Sequence, residues 1–424
     1  MNRQIGIGLV LAAAWSSPLR AQQMTMTDSL LDRLTREAVH ANASLGAASS
    51  RARAFDARIR PAGTLPDPTV MVGVMDLTLP NFAFRQSDFT EIDVQAEQAF
   101  PWPGTLSART RSAAGLAQAA HADLRDRERD LTLRVAEIYY QLRYTVTARA
   151  SLVRQRTGLA GIVDAALTRY SIGEAPQSDA LQARTVLARL DADAAALAGE
   201  EASLRSQLRR ARNVRGTDSL EIQPVTDDEP AMMAHGMSEP WSVPLAPAPD
   251  DPRLVASRAR ATAATEMVEA ERLGGRPEFT ITARYGARPL GADFASAFVG
   301  VRIPLWSGRK QKELINSAAA EADAARADVA ESEAALRSEI EQMTAVAAAG
   351  HERLVLLVDR VLPSAAAAVE AALRGYRLGQ ARISDVLSAQ DTEYRTRLET
   401  ALAVTDHLNH LVMLGQLARQ GAAQ

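Results

Sequence analysis

The sequence predicts an α+β membrane chain built twice over, each half pairing membrane-length strands with a long coiled-coil-like helical hairpin. Three observations predict it: a duplicated turn, runs of strict period-two alternation, and very long proline-free helical stretches. The duplication is the sharpest. Residues 169–183 read RYSIGEAPQSDALQA and residues 375–389 read GYRLGQARISDVLSA. Tyr170, Gly173, Ala175, Ser178, Asp179, Leu181 and Ala183 match Tyr376, Gly379, Ala381, Ser384, Asp385, Leu387 and Ala389, each 206 residues later (376 − 170) and without a gap. Seven matches in one register mark a repeated structural unit.

The elements follow in order. Residues 1–21 have the form of a cleaved secretory signal: Arg3, an apolar run from Ile5 to Trp15, then Leu19-Arg20-Ala21 before Gln22. The first repeat, 22–212, opens with a helix from about Met26 to Arg60, closed by Pro61. A strand pair follows within about 68–100. Val70, Val72 and Val74 begin it, and then Thr90, Ile92, Val94 and Ala96 alternate with Glu91, Asp93, Gln95 and Glu97. FPWPG (Phe100 to Gly104) ends the pair, because proline cannot donate to a ladder. A long helix is expected over about 105–172, with a stripe at Leu131, Val135, Ile138, Leu142, Val146, Ala150 and Val153, and a return helix over 177–212.

A proline-rich connector, 213–252, leads to the second repeat, 253–424. There a helix to about Leu273 precedes a strand pair at about 277–303. Phe279, Ile281, Ala283 and Tyr285 oppose Glu278, Thr280, Thr282 and Arg284. Ala297, Val299, Val301 and Ile303 then oppose Phe298, Gly300 and Arg302. IPLWSG (Ile303 to Gly308) echoes FPWPG, a long helix runs over 309–378 with a kink expected at Pro363, and a return helix spans 384–419.

Roughly nine residues per strand is the length that crosses a bilayer when tilted in a barrel. The apolar face then meets lipid, and Glu91, Asp93, Glu97, Glu278, Arg284 and Arg302 face a wet lumen. Four strands cannot enclose such a lumen, so the barrel must be shared between chains. Composition narrows the classes. The net charge of −3 gives no pull toward nucleic acid. Absence of cysteine excludes disulfides, thiolate metal sites and cysteine nucleophiles. No GxSxG, P-loop or HExxH occurs, so no enzyme chemistry and no cofactor is predicted.

With its two-fold repeat, its strand pairs ending in FPWPG and IPLWSG, and its paired Tyr-x-x-Gly…Asp turns, the chain resembles the TolC-type outer membrane efflux proteins. FPWPG also points to the heavy-metal branch. The resemblance implies a homotrimer forming one twelve-stranded barrel, continued by a periplasmic helical tunnel. It implies a passive exit channel in the outer membrane of a Gram-negative-type bacterium, serving an inner-membrane pump through a periplasmic adaptor. It implies that Ser171, Ile172, Gly173 and Glu174, with Arg377, Leu378, Gly379 and Gln380, are adaptor-docking turns. Asp179, Tyr376 and Asp385 match positions used for closure and for an acidic ring, and Arg382 stands in for an arginine expected at Ala381. A ring of carboxylates at a constriction favours cations; helix capping is the alternative role for Asp179 and Asp385.

Two weaker features remain. Met232, Met233, His235 and Met237 form a thioether and imidazole cluster in the connector, alongside Met24 and Met26. His407 and His410 share a helical face, with no third ligand evident. A periplasmic adaptor or coiled-coil scaffold without a pore is the alternative class; it would carry one hairpin rather than two separated by strand pairs.

Overall fold

The structure is a computed structural model that describes residues 28–77, 87–218, 220–236 and 247–419. The expected signal at 1–21, Met24, Met26 and Met237 lie outside the described residues.

Two helices, α1 (Ser29–Ala41) and α2 (Ala43–Ala62), stand where one was expected. Asn42 divides them. Its backbone is extended, its side chain accepts from Ser44 N at 2.9 Å, and its Nδ2 donates to the Ala211 carbonyl at 2.8 Å. The side chain thus caps the new helix and ties the break to the far end of the return helix. Pro61 does not close α2 but sits in its last turn.

Strands β1 (Thr69–Met75) and β2 (Glu91–Phe100) belong to the first repeat; β3 (Glu278–Ala287) and β4 (Phe294–Arg302) belong to the second. They form one antiparallel sheet in the order β1-β2-β3-β4. The register sets Val72 opposite Val94, Val94 opposite Tyr285, and Ile281 opposite Val299. Directly opposed residues share a face, so the apolar sets of all four strands lie on one side. That side is exposed, with Val72 at 71 % and Val299 at 76 %, while Glu91 and Asp93 on the other side are buried. A water-soluble sheet would invert this pattern.

The helices form the rest. The first hairpin is α3 (Thr105–Ser171) and α4 (Gln177–Ala211). The connector contains a short helix, α5 (Glu229–Gly236), and α6 (Pro252–Gly274) opens the second repeat. The second hairpin has α7 (Gln311–Leu356), a π-helical turn at Leu357–Val361, α8 (Leu362–Arg377) and α9 (Ile383–Arg419). The expected kink at Pro363 takes the form of that π turn. Widening the helix just before the proline relieves the bond it cannot donate and the carbonyl its ring would strike.

Helix α3 packs on α1, α2, α4, α6 and α9. Its stripe is buried at Val135, Ile138 and Leu142, against Leu34 of α1 and Leu208 of α4. Further along, Val153 is exposed and Leu152 and Leu159 take over the seam. No helix among the described residues is long and apolar enough to cross a membrane.

Candidate functional site: a charged strand face and two helix turns

The sheet brings the strand charges together. Arg284 of β3 pairs with Glu91, and its Nε lies 3.3 Å from Asp93 Oδ2. Arg288 Nε reaches Glu91 Oε2 at 3.4 Å, and Thr282 Oγ1 donates to Glu97 Oε2 at 3.4 Å. Arg302 and Glu278, opposed in register, pair at 2.7 Å. All six charged strand residues picked from the sequence therefore lie on the polar face. Arg288, in the loop after β3, is an addition that alternation could not reveal, because it lies beyond the strand.

The duplicated turns share one backbone solution. Gly173 and Gly379 have φ of +80° and +70°, the left-handed region open to glycine. In the first turn, Glu174 N donates to the Arg169 carbonyl at 2.9 Å and Gly173 N to Tyr170 at 3.0 Å. In the second, Gln380 N donates to Gly375 at 2.8 Å and Gly379 N to Tyr376 at 3.1 Å. Both are Schellman closures. Ser171, Ile172, Gly173 and Glu174, and likewise Arg377, Leu378, Gly379 and Gln380, are exposed at the ends of the hairpins.

The side chains at the turns diverge. Tyr170 is 45 % exposed, whereas Tyr376 is 6 % exposed and packs with Leu159, Ile162, Leu190, Ile383 and Val386. Arg169 lies over the Tyr376 ring at 4.8 Å and donates through Nη1 to the Tyr376 carbonyl at 2.9 Å. One repeat's helix end thus clasps the other's. Asp385 Oδ2 accepts from Arg382 N at 3.0 Å, a capping contact at the start of α9. Asp179 makes no side-chain cap bond at the start of α4. Pro176 at the cap position of α4 has no N–H to donate, so Asp179 stands in the first turn as a charge at the helix N-terminus, without the contact that Asp385 makes.

The methionine cluster does not converge. Met233 is buried against Leu354 and Leu357, Met232 is exposed, and His235 pairs with Asp359 at 3.0 Å. The histidine pair of α9 does gain a neighbour, since the rings of His351 on α7 and His407 are 5.5 Å apart. Burial, followed by the neighbouring His351 and His410, lowers the His407 pKa to about 4. Burial raises Asp406. His351 is 56 residues from His407 (407 − 351), a separation that helical periodicity cannot bridge. Among the described residues, no group of three or more His, Cys, Asp or Glu is placed to hold a metal ion.

A sheet with its apolar side outward, an ion-paired polar side and long helical hairpins define the fold of an outer-membrane channel. The family model for outer membrane efflux proteins matches residues 249–418. The cobalt-zinc-cadmium resistance protein CzcC of Cupriavidus metallidurans is 26 % identical over 423 residues, covering 93 % of this chain and 94 % of that protein. Two solved structures share the fold. CusC has a TM-score of 0.80 at 15 % identity, with 92 % of each chain covered. VceC of Vibrio cholerae has a TM-score of 0.78 at 19 % identity, covering 93 % of this chain and 96 % of that one. Residues 249–418, within the connector's end and the second repeat, are thus similar to the outer membrane efflux protein family, and the whole chain resembles its solved channels in fold. It is an outer-membrane exit channel of tripartite efflux and not an enzyme, which leaves the scaffold alternative without support.

Proposed function

We propose that three copies of this chain close one twelve-stranded barrel, continued by a tunnel of their helices. The outward apolar face of a sheet whose edges, β1 and β4, each have one neighbour among the described residues carries this reading. Unpaired edges in lipid would leave backbone groups unsatisfied, and closure through neighbouring chains removes them. The leader is residues 1–21, the repeats 22–212 and 253–424, and the connector 213–252. The turns 171–174 and 377–380 dock the periplasmic adaptor, which hands over substrate from the inner-membrane pump. Asp179, Tyr376, Arg382 and Asp385 form the gate, and the clasp of Arg169 on Tyr376 is the contact that opening must release. Divalent transition-metal cations are the cargo; the likeness to a cobalt-zinc-cadmium resistance protein supports this.

Single-channel conductance of the purified protein in a planar bilayer tests the pore and its gate. Small cation-selective openings are expected, growing larger or losing selectivity in Asp179→Ala/Asp385→Ala. A well-folded trimer that conducts nothing would sink the reading. For the cargo, loss of the chain should sensitise its host to cobalt, zinc or cadmium salts, and unaltered growth on all three would remove the metal assignment.

A further inference from the structure

The join between β4 and α7 has a chemistry found nowhere else in the chain. The apolar face of β4 continues past Val301 into Ile303, Leu305 and Trp306, the last two 80 % and 71 % exposed. Trp306 closes a tight turn, its carbonyl accepting from Arg309 N at 3.0 Å and Lys310 N at 2.9 Å. Arg309, Lys310 and Lys312 are all exposed, and none joins an ion pair among the described residues. Lys310 and Lys312 are the only lysines in 424 residues; the other basic residues, 48 − 2 = 46 of them, are arginine. The nearest acid in sequence, Glu313, instead accepts from Asn316 at 3.4 Å.

The matching join in the first repeat sharpens the point. There Trp102 stacks on Phe279 at 6.0 Å, under the Arg276 guanidinium at 5.3 Å, and no cation follows until Arg109. One tryptophan is folded in; the other is presented outward with cations one helical turn away. An outward indole favours the headgroup region of a bilayer. Lysine keeps its stem along apolar surface while its ammonium meets phosphate as a point charge. The N-terminus of α7, which has no side-chain cap, adds positive potential at the same place.

We propose that Leu305, Trp306, Arg309, Lys310 and Lys312 form an anchoring site for anionic phospholipid in the leaflet that borders the helices. The apolar pair enters the acyl boundary, and the three cations hold the phosphodiester. The proposal rests on the membrane-channel reading above. Charge complementarity and continuity with the apolar strand face select lipid over a protein partner.

The test uses the full chain in nanodiscs, in a Trp15→Phe/Trp102→Phe/Trp241→Phe background where Trp306 is the one tryptophan left to report by fluorescence. Acyl-brominated phosphatidylglycerol and acyl-brominated phosphatidylcholine are compared as quenchers at equal mole fraction. Quenching about twofold deeper by the anionic lipid is expected. That preference should vanish in Arg309→Gln/Lys310→Gln/Lys312→Gln and persist in Lys310→Arg/Lys312→Arg. Equal quenching by both lipids would overturn the anionic site, and no quenching by either would show protein covering Trp306 and overturn it as well. Conductance of the same variants in a planar bilayer reports on the channel separately, so a failed anchor and a failed channel are distinguishable.

Discussion

Tyr170 ends one long helix in solvent, and Tyr376 ends its duplicate buried under Arg169. The same contrast runs back along the return helices. Glu201 of α4 stands 206 residues before His407 of α9 (407 − 201). Glu201 is buried beside two guanidiniums, Arg149 and, at 2.8 Å, Arg205. His407 is buried beside other histidines. Duplication preserved the backbone geometry, as the two Schellman turns show, while the side chains at matched positions took opposite solutions to burial. Substituting both members of a matched pair is therefore the direct way to separate what the repeat needs from what each copy does.

The largest difference is expected at the tyrosines. Tyr376→Ala should cost about 3 kcal/mol through the cavity it leaves, whereas Tyr170→Ala should stay within about 0.5 kcal/mol. Hydrogen exchange at the hairpin ends, compared between the variants, measures this; equal acceleration would erase the distinction between the two turns.

Acid pH separates the second pair. Burial and neighbouring histidines depress His407 to about 4, below its ordinary value, so protons bind the unfolded chain more readily. Stability is full above about pH 6.5 and falls as pH drops toward 4. Burial works against the Glu201 charge, yet Arg149 and Arg205 hold it below the usual carboxylate range. Its contribution is present above the ordinary glutamate pKa and lost only at more acid pH. His407→Leu should flatten the decline of Tm between pH 6.5 and 4, by the equivalent of about 2 kcal/mol. Glu201→Gln should leave the slope between pH 6.5 and about 5 unchanged and lower Tm at neutral pH. A His407→Leu profile parallel to wild type would refute the assignment.

The glycines are where the repeats should agree. Gly173→Ala and Gly379→Ala each force a side chain into the left-handed region, at about 1 kcal/mol apiece. A marked inequality in their Tm shifts would mean that something other than the turn itself acts at one of them.

The smallest contrast lies at the aspartates. Asp385→Ala removes a cap contact worth about 0.5–1 kcal/mol, and Asp179→Ala removes none. Limited proteolysis at the hairpin ends should therefore quicken only for Asp385→Ala. Faster cleavage of Asp179→Ala would return that residue to a structural role.

Local physics made part of this molecule readable in advance. The alternation at Ile92, Val94 and Ala96 against Glu91, Asp93 and Glu97 determined which strand residues share a face, because successive Cβ atoms point to opposite sides. Glycine at 173 and 379 determined a left-handed helix stop, and absence of proline between Thr105 and Ser171 permitted an unbroken helix. Each of these depends on chemistry within a few residues. The break at Asn42 was less legible, since its Nδ2 finds the Ala211 carbonyl 169 residues away. The π turn before Pro363 is one of several ways a helix can absorb a proline. Only the tertiary structure paired β2 with β3 across the repeats, brought His351 to His407, and set Tyr376 inside while leaving Tyr170 out. Matched sequences do not encode those outcomes, because burial is decided by the neighbours that packing supplies, and the two copies pack against different ones.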